Sequence, residues 1–185
     1  MEKKLPEEYT DDEIREQIKN FYSDLLKEKE LPKEKIQVLV IDDEERSLHA
    51  FQSLLRREFD IYTANSAMEG RKILETKTIH VIVTDQRMPE MTGIEFLQSI
   101  LEEHKDPIRV LLTGYSDIDA VVDAINKGEV YRYVKKPFEK NEMKQLIENA
   151  YELYYLRKKN EKLTRDLTVA NRQLEFLIRD RLLDG

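Results

Sequence analysis

Residues 36–45 read IQVLVIDDEE. The first six are apolar except for Gln37, and they lack the alternation of a half-exposed strand. A run this short fits a β-strand buried on both faces. It passes directly into four acids. The pattern returns at residues 79–84 (IHVIVT), followed by Asp85, and at 108–113 (IRVLLT), ending in Thr113-Gly114. Residues 130–134 (VYRYV) end in Lys135-Lys136-Pro137, and residues 60–63 (DIYT) make a fifth, shorter strand. Between the strands lie helical stretches at 46–58, 67–75, 94–103 and 118–127, the last closed by Gly128 as a C-cap residue. Leu48, Phe51, Leu54 and Leu55 mark the inward side of the first. Five strands interleaved with helices predict repeated βαβ units, hence a parallel sheet covered on both faces.

The flanks read differently. Residues 10–30 predict a helix: Thr10 and Glu13 form a capping box, and Ile14, Ile18, Phe21, Tyr22, Leu25 and Leu26 share one face until Leu31-Pro32 ends it. That face is too apolar to stand alone in water and must dock on the chain or a partner. Residues 139–183 contain no breaker and predict one long helix. Read in heptads, Leu146, Leu153, Asn160, Leu167, Leu174 and Arg181 take position a, and Asn149, Leu156, Leu163, Ala170 and Leu177 take position d. This is a coiled-coil seam. Its first turns can pack on the preceding domain, but beyond about Leu156 the helix outruns it. The expected division is an N-terminal extension (1–35), a central domain (36–150) and a dimerisation helix (151–185).

Composition narrows the functional classes. The 185 residues are 40% apolar and 37% charged; the second figure exceeds the roughly 25% of ordinary domains and calls for a solvated, charged helix beside the core. The absence of cysteine excludes disulfides, thiolate metal sites and a cysteine nucleophile. No apolar run approaches the roughly 18 residues of a membrane span, and the N-terminus lacks the hydrophobic stretch of a signal peptide, so the expected location is the cytoplasm. The net charge is −7, concentrated in the central domain, which argues against direct nucleic-acid binding there.

In an open parallel sheet, ligands bind outside the carboxyl ends of the strands. At that rim the first strand delivers Asp42 and Asp43, the third Asp85, the fourth the Thr113 hydroxyl and the fifth Lys136. Clustered carboxylates repel one another, and the usual resolution is a hard cation such as Mg²⁺ with oxygen ligands. A carboxylate can then serve as nucleophile towards a phosphoryl group whose oxygens a lysine and a hydroxyl neutralise. Each residue alone has a plainer role: Asp42 and Asp43 can begin a helix, Asp85 can lead into a turn, Thr113 can cap, and Lys136 can face solvent. Their occurrence together on one rim favours the chemical reading. His49, His80 and His104 are widely separated, have no zinc spacing and suit packing or surface roles. No glycine-rich nucleotide loop is present.

The stretches VLVIDDEE, VIVTDQRMPEMTGIEFL, VLLTGYSD and YRYVKKPF resemble the response-regulator receiver domain, the CheY-like family of two-component signalling. The resemblance spans residues 36–150. It implies a flavodoxin-like doubly wound sheet of strand order 2-1-3-4-5. Further, it implies that Asp85 accepts a phosphoryl group from a histidine kinase or phosphotransfer protein. Asp42, Asp43, Asp85 and the backbone carbonyl of Arg87 would hold Mg²⁺. Lys136 would pair with the phosphoryl group, Thr113 would hydrogen-bond it, Tyr133 would be the switch aromatic, and the Lys136–Pro137 bond would be cis. Such a protein is a regulatory phosphoacceptor rather than an enzyme, and here its output would be a parallel homodimer through the C-terminal helix, with no membrane partner. An alternative is a regulatory fragment of a longer signalling enzyme, the helix being a linker. A haloacid-dehalogenase-type phosphatase is disfavoured, because its second Asp, two residues after the nucleophile, is Arg87 here.

Overall fold

A computed structural model describes Glu16 and residues 34–114, 123, 125–126 and 129–183, with the side chains of 173, 174 and 176–183 left aside. The expected N-terminal helix lies outside the described residues, as does the helix at 118–127 apart from Asp123, Ile125 and Asn126, which are helical. The chain divides into two compact units, Met1–Glu34 and Lys35–Gly185.

The elements of the second unit run β1 (Gln37–Ile41), α1 (Glu45–Leu55), β2 (Asp60–Ala64), α2 (Ala67–Thr76), β3 (Val81–Asp85), α3 (Gly93–Ser99), β4 (Ile108–Thr113), β5 (Arg132–Lys135) and α4 (Lys140–Leu183). The strands form one parallel sheet in the order β2-β1-β3-β4-β5. Side chains alternate across each strand and build two cores. Val38, Val40, Val81, Val83, Val110 and Leu112 point to one face, where α1 adds Leu48, Phe51 and Leu55 and α4 adds Met143, Leu146 and Ile147. Leu39, Ile41, Ile82 and Leu111 point to the other, against Leu74 of α2 and Phe96 and Leu97 of α3. This two-sided burial is why β1, β3 and β4 carry almost unbroken apolar runs. β2 and β5 lie at the edges and are correspondingly more exposed.

Four boundaries differ from the sequence expectation by two residues or more. α1 ends at Leu55 rather than residue 58, the next residues turning so that the Glu58 and Phe59 amides both donate to the Leu55 carbonyl. α3 stops at Ser99 rather than residue 103, because its last turn tightens: the Leu101 amide donates to the Gln98 carbonyl, three residues back. The fifth strand begins at Arg132 rather than residue 130. β3 begins at Val81 rather than residue 79, so His80 lies just before it, not inside it.

α4 spans 44 residues, about 66 Å at 1.5 Å per residue. Its first four turns are committed to the sheet: Met143, Leu146, Ile147, Ala150 and Tyr151 are buried, and Leu153 and Tyr154 pack against the same core. Beyond that, Leu156 and Leu167 are exposed. Leu146, an a position in the heptad reading, is therefore taken by the sheet, and an intermolecular seam has room to begin only near Leu153–Leu156.

Candidate functional site

The crossover reverses direction between β1 and β3, and a crevice opens there at the carboxyl ends of the strands. The residue after β1 is Asp42 and the last residue of β3 is Asp85, both buried. Lys136 follows β5 and arrives from across β4, where its amide donates to the Thr113 carbonyl (3.0 Å). Its ammonium bridges the two acids. Nζ lies 2.6 Å from Asp42 Oδ2 and pairs with Asp85 Oδ1. The remaining carboxylate oxygens take backbone donors: Glu44 N–H donates to Asp42 Oδ1 (3.0 Å) and Arg87 N–H to Asp85 Oδ2 (2.7 Å). Both carboxylates are thus held in one orientation. Burial acts to lower the Lys136 pKa, but hydrogen bonds and charge from Asp42 and Asp85 outweigh it and hold the group above the ordinary lysine value.

Thr113 is buried at the end of β4, one residue beyond the Asp85–Leu112 register pair, and its hydroxyl donates to the Gly114 carbonyl (3.1 Å). Asp43 and the Arg87 side chain are exposed at the crevice margin. Tyr133 is half-buried, paired in register with Leu111 and packed on the α2–α3 side core. The Lys136–Pro137 bond is cis. His49 is exposed on α1, and His80 is buried at the opposite pole of the sheet, against Tyr151 and Tyr154.

Among the described residues no three or more His, Cys, Asp or Glu side chains are already gathered as a metal cluster. The donor set nevertheless fits a hard cation. Two buried carboxylates share a single ammonium, a third carboxylate, Asp43, directly follows Asp42 in sequence, and all the side-chain donors are oxygen.

Two residues join the site without having stood out in the sequence. Gln86 is buried directly after Asp85, and its Oε1 accepts from the Ile94 amide of α3 (3.2 Å). Gly93 opens α3 so close to β3 that an added Cβ would stand 2.2 Å from the Asp85 carbonyl oxygen. The one available signal was a polar residue placed immediately after a strand buried throughout.

A 2-1-3-4-5 sheet with acids at the β1/β3 crevice and a lysine from β5 defines a doubly wound α/β domain with an acid–lysine rim. The chain belongs to the response regulator receiver family, whose family model matches residues 38–148. The hydrogenase transcriptional regulatory protein HoxA of Bradyrhizobium diazoefficiens is 35% identical over 124 residues, which is 67% of this chain and 26% of that protein. The DNA-binding transcriptional regulator NtrC of Proteus hauseri is 32% identical over 118 residues, 63% of this chain and 25% of the other. This chain therefore spans only a small part of these curated relatives. Among solved structures, a response regulator receiver domain protein from Clostridium thermocellum superposes with a TM-score of 0.62 at 31% identity, covering 65% of this chain and 98% of that one. The strand order is the one the resemblance implied. No helix among the described residues is long and apolar enough to cross a membrane.

Proposed function

We propose that the chain is a response regulator that accepts a phosphoryl group on Asp85 from a phosphohistidine of a sensor kinase or phosphotransfer protein. The observation that carries this reading is the bridge of Lys136 between Asp42 and Asp85. A carboxylate oxygen of Asp85 forms the new P–O bond while the P–N bond breaks. The departing imidazole keeps the electron pair and takes up a proton. Lys136 neutralises the incoming oxygens, and Thr113 lies next along the rim to donate a hydrogen bond. Asp42, Asp43, Asp85 and the Arg87 carbonyl are the groups that would hold Mg²⁺. The ion supplies charge neutralisation for the phosphoryl oxygens when bound.

The output we propose is a change of state in a parallel dimer made by α4 beyond Leu156. That helix opens at Lys140, just past Lys136, and Phe138 between them packs edge-on against Phe51 of α1, with centroids 5.7 Å apart. In this reading a displacement of Lys136 would reach α4 through the short connection that carries Phe138. Acetyl phosphate or beryllofluoride with Mg²⁺ should modify the wild type and leave Asp85→Asn unmodified. Full labelling of the variant would move the acceptor elsewhere.

A further inference from the structure

We infer that Gln86 is a positioning residue for the phosphoacceptor: it pins the β3–α3 connection so that the Arg87 amide is presented to Asp85. The inference rests on the proposed role of Asp85.

Gln86 makes three directed bonds. Its amide donates to the Leu112 carbonyl (2.9 Å), extending the β3–β4 ladder one step past Asp85. Its carbonyl accepts from the Gly93 amide (3.1 Å), and its side-chain Oε1 accepts from the Ile94 amide (3.2 Å). The first turn of a helix leaves amides without intrahelical partners. In α3, Thr92 Oγ1 takes the Glu95 amide and Gln86 takes those of Gly93 and Ile94. A single residue is therefore fastened to β4 on one side and to two successive amides of α3 on the other.

The consequence falls on the neighbours. Asp85 and Arg87 are the residues on either side of Gln86, and Arg87 N–H reaches back over it to Asp85 Oδ2 at 2.7 Å. That contact selects the carboxylate orientation in which Oδ1 is turned to Lys136. Gly93 makes the pin possible, since any larger residue would push α3 away from the Asp85 carbonyl and lengthen the bonds to Gln86. An apolar residue at position 86 would fill the same buried volume but leave the Ile94 amide unpaired and the connection free to shift. Misplacement of a reacting group on the ångström scale costs catalytic rate out of proportion to stability.

The test compares wild type with Gln86→Met, which keeps length and loses the amide oxygen, and Gln86→Glu, which restores an acceptor. In resting protein, hydrogen exchange at the Ile94 and Arg87 amides should accelerate about fivefold in Gln86→Met, the order expected for one net hydrogen bond, and return towards wild type in Gln86→Glu. The rate of modification by acetyl phosphate with Mg²⁺ should fall by about the same factor in Gln86→Met. A purely structural role would move the melting temperature and the Ile94 amide but neither the Arg87 amide nor the rate. Unchanged Arg87 exchange together with an unchanged rate in folded Gln86→Met overturns the inference. If wild type itself takes no phosphoryl group, the reading of Asp85 falls, and the Arg87 amide alone then decides whether Gln86 is the pin.

Discussion

Tyr154 of α4 holds its ring centroid 4.9 Å from that of His80, at the pole of the sheet opposite Lys136. Tyr151, one turn earlier, takes the same imidazole at 5.0 Å. The ring is fixed from the other side, where His80 Nδ1 accepts from the Gln37 amide that opens β1 (3.0 Å). One turn further along, Lys158 pairs with Asp106 in the connection before β4. The long helix is thus held at both poles of the domain before it leaves.

The aromatic contact should carry most of that second anchorage. Tyr154→Ala removes a half-buried ring and should cost about 2 kcal/mol in urea denaturation. Asp106→Asn breaks a half-exposed ion pair and should cost no more than about 1 kcal/mol. A larger loss in Asp106→Asn than in Tyr154→Ala would show that the ion pair, not the ring, does most of the holding.

How far this architecture was legible depends on how each residue is constrained. β1, β3 and β4 announce themselves because a strand covered on both faces can contain little but apolar residues. The rim acids were legible because they close or follow β1 and β3, and Lys136 because it follows the shorter strand that ends before Pro137. The early stop of α3 was not, since residues 94–103 hold helical spacing and the tightening at Leu101 follows from how the segment meets the sheet. Nor was the role of Gln86: its partner Ile94 is eight residues away, and only the approach of Gly93 to Asp85 brings the two together. Heptad spacing marked Leu146 as a seam residue without revealing that the sheet had already claimed it.

Mg²⁺ affinity should depend on the rim carboxylates unequally. Asp43 is exposed and engaged by neither Lys136 contact, so Asp43→Ala would delete a proposed ligand without unbalancing the bridge. Its affinity should fall by at least about tenfold, the loss typical even of residues that merely support a ligand. Asp42→Asn should weaken binding and also release Lys136 from one partner. Fluorescence or calorimetric titration reads both, and an Asp43→Ala protein that binds Mg²⁺ like wild type would place the ion away from this rim.

Acid sensitivity should arise in part where the turn after α1 meets α4. Glu58 Oε1 accepts from Lys140 Nζ at 2.8 Å, and that hydrogen bond, aided by the charges of Lys140 and Lys144 against a smaller desolvation effect, holds the Glu58 pKa below the usual carboxylate value. A depressed folded pKa gives stability that is present above the unfolded-state value and lost as pH falls through the folded one. Wild type should therefore melt above Glu58→Gln at neutral pH, with the gap closing through the acid range. A gap that stays constant down to strongly acidic pH would assign the difference to packing rather than to the ion pair.

Association should be set by α4 beyond the domain. Leu156 and Leu167 are 53% and 57% exposed in the single chain, a spacing of eleven residues that places them on the d and a positions of one seam with Leu163 between. Burying each leucine is worth roughly 1.5–3 kcal/mol, enough for a few heptads to pair. Asn160, exposed at the intervening a position, would set the geometry of such a pair. Its amide can meet its symmetry mate only if two parallel helices lie in register, so it selects that arrangement at a cost in stability. Glu152 at g would face Arg157 at e of the second chain, an attractive pair in the same orientation. Ala170 would weaken the seam further along, leaving the association modest and open to bias by a few kcal/mol from the acid–lysine rim. Light scattering should find a concentration-dependent dimer that shifts with beryllofluoride. Asn160→Leu should tighten association while admitting trimers or mixed orientations, visible as a broadened mass distribution and as disulfide cross-linking of an introduced cysteine pair in both parallel and antiparallel registers. A wild type that stays monomeric at high concentration, with and without beryllofluoride, would leave α4 a solitary charged helix and its leucines without a partner.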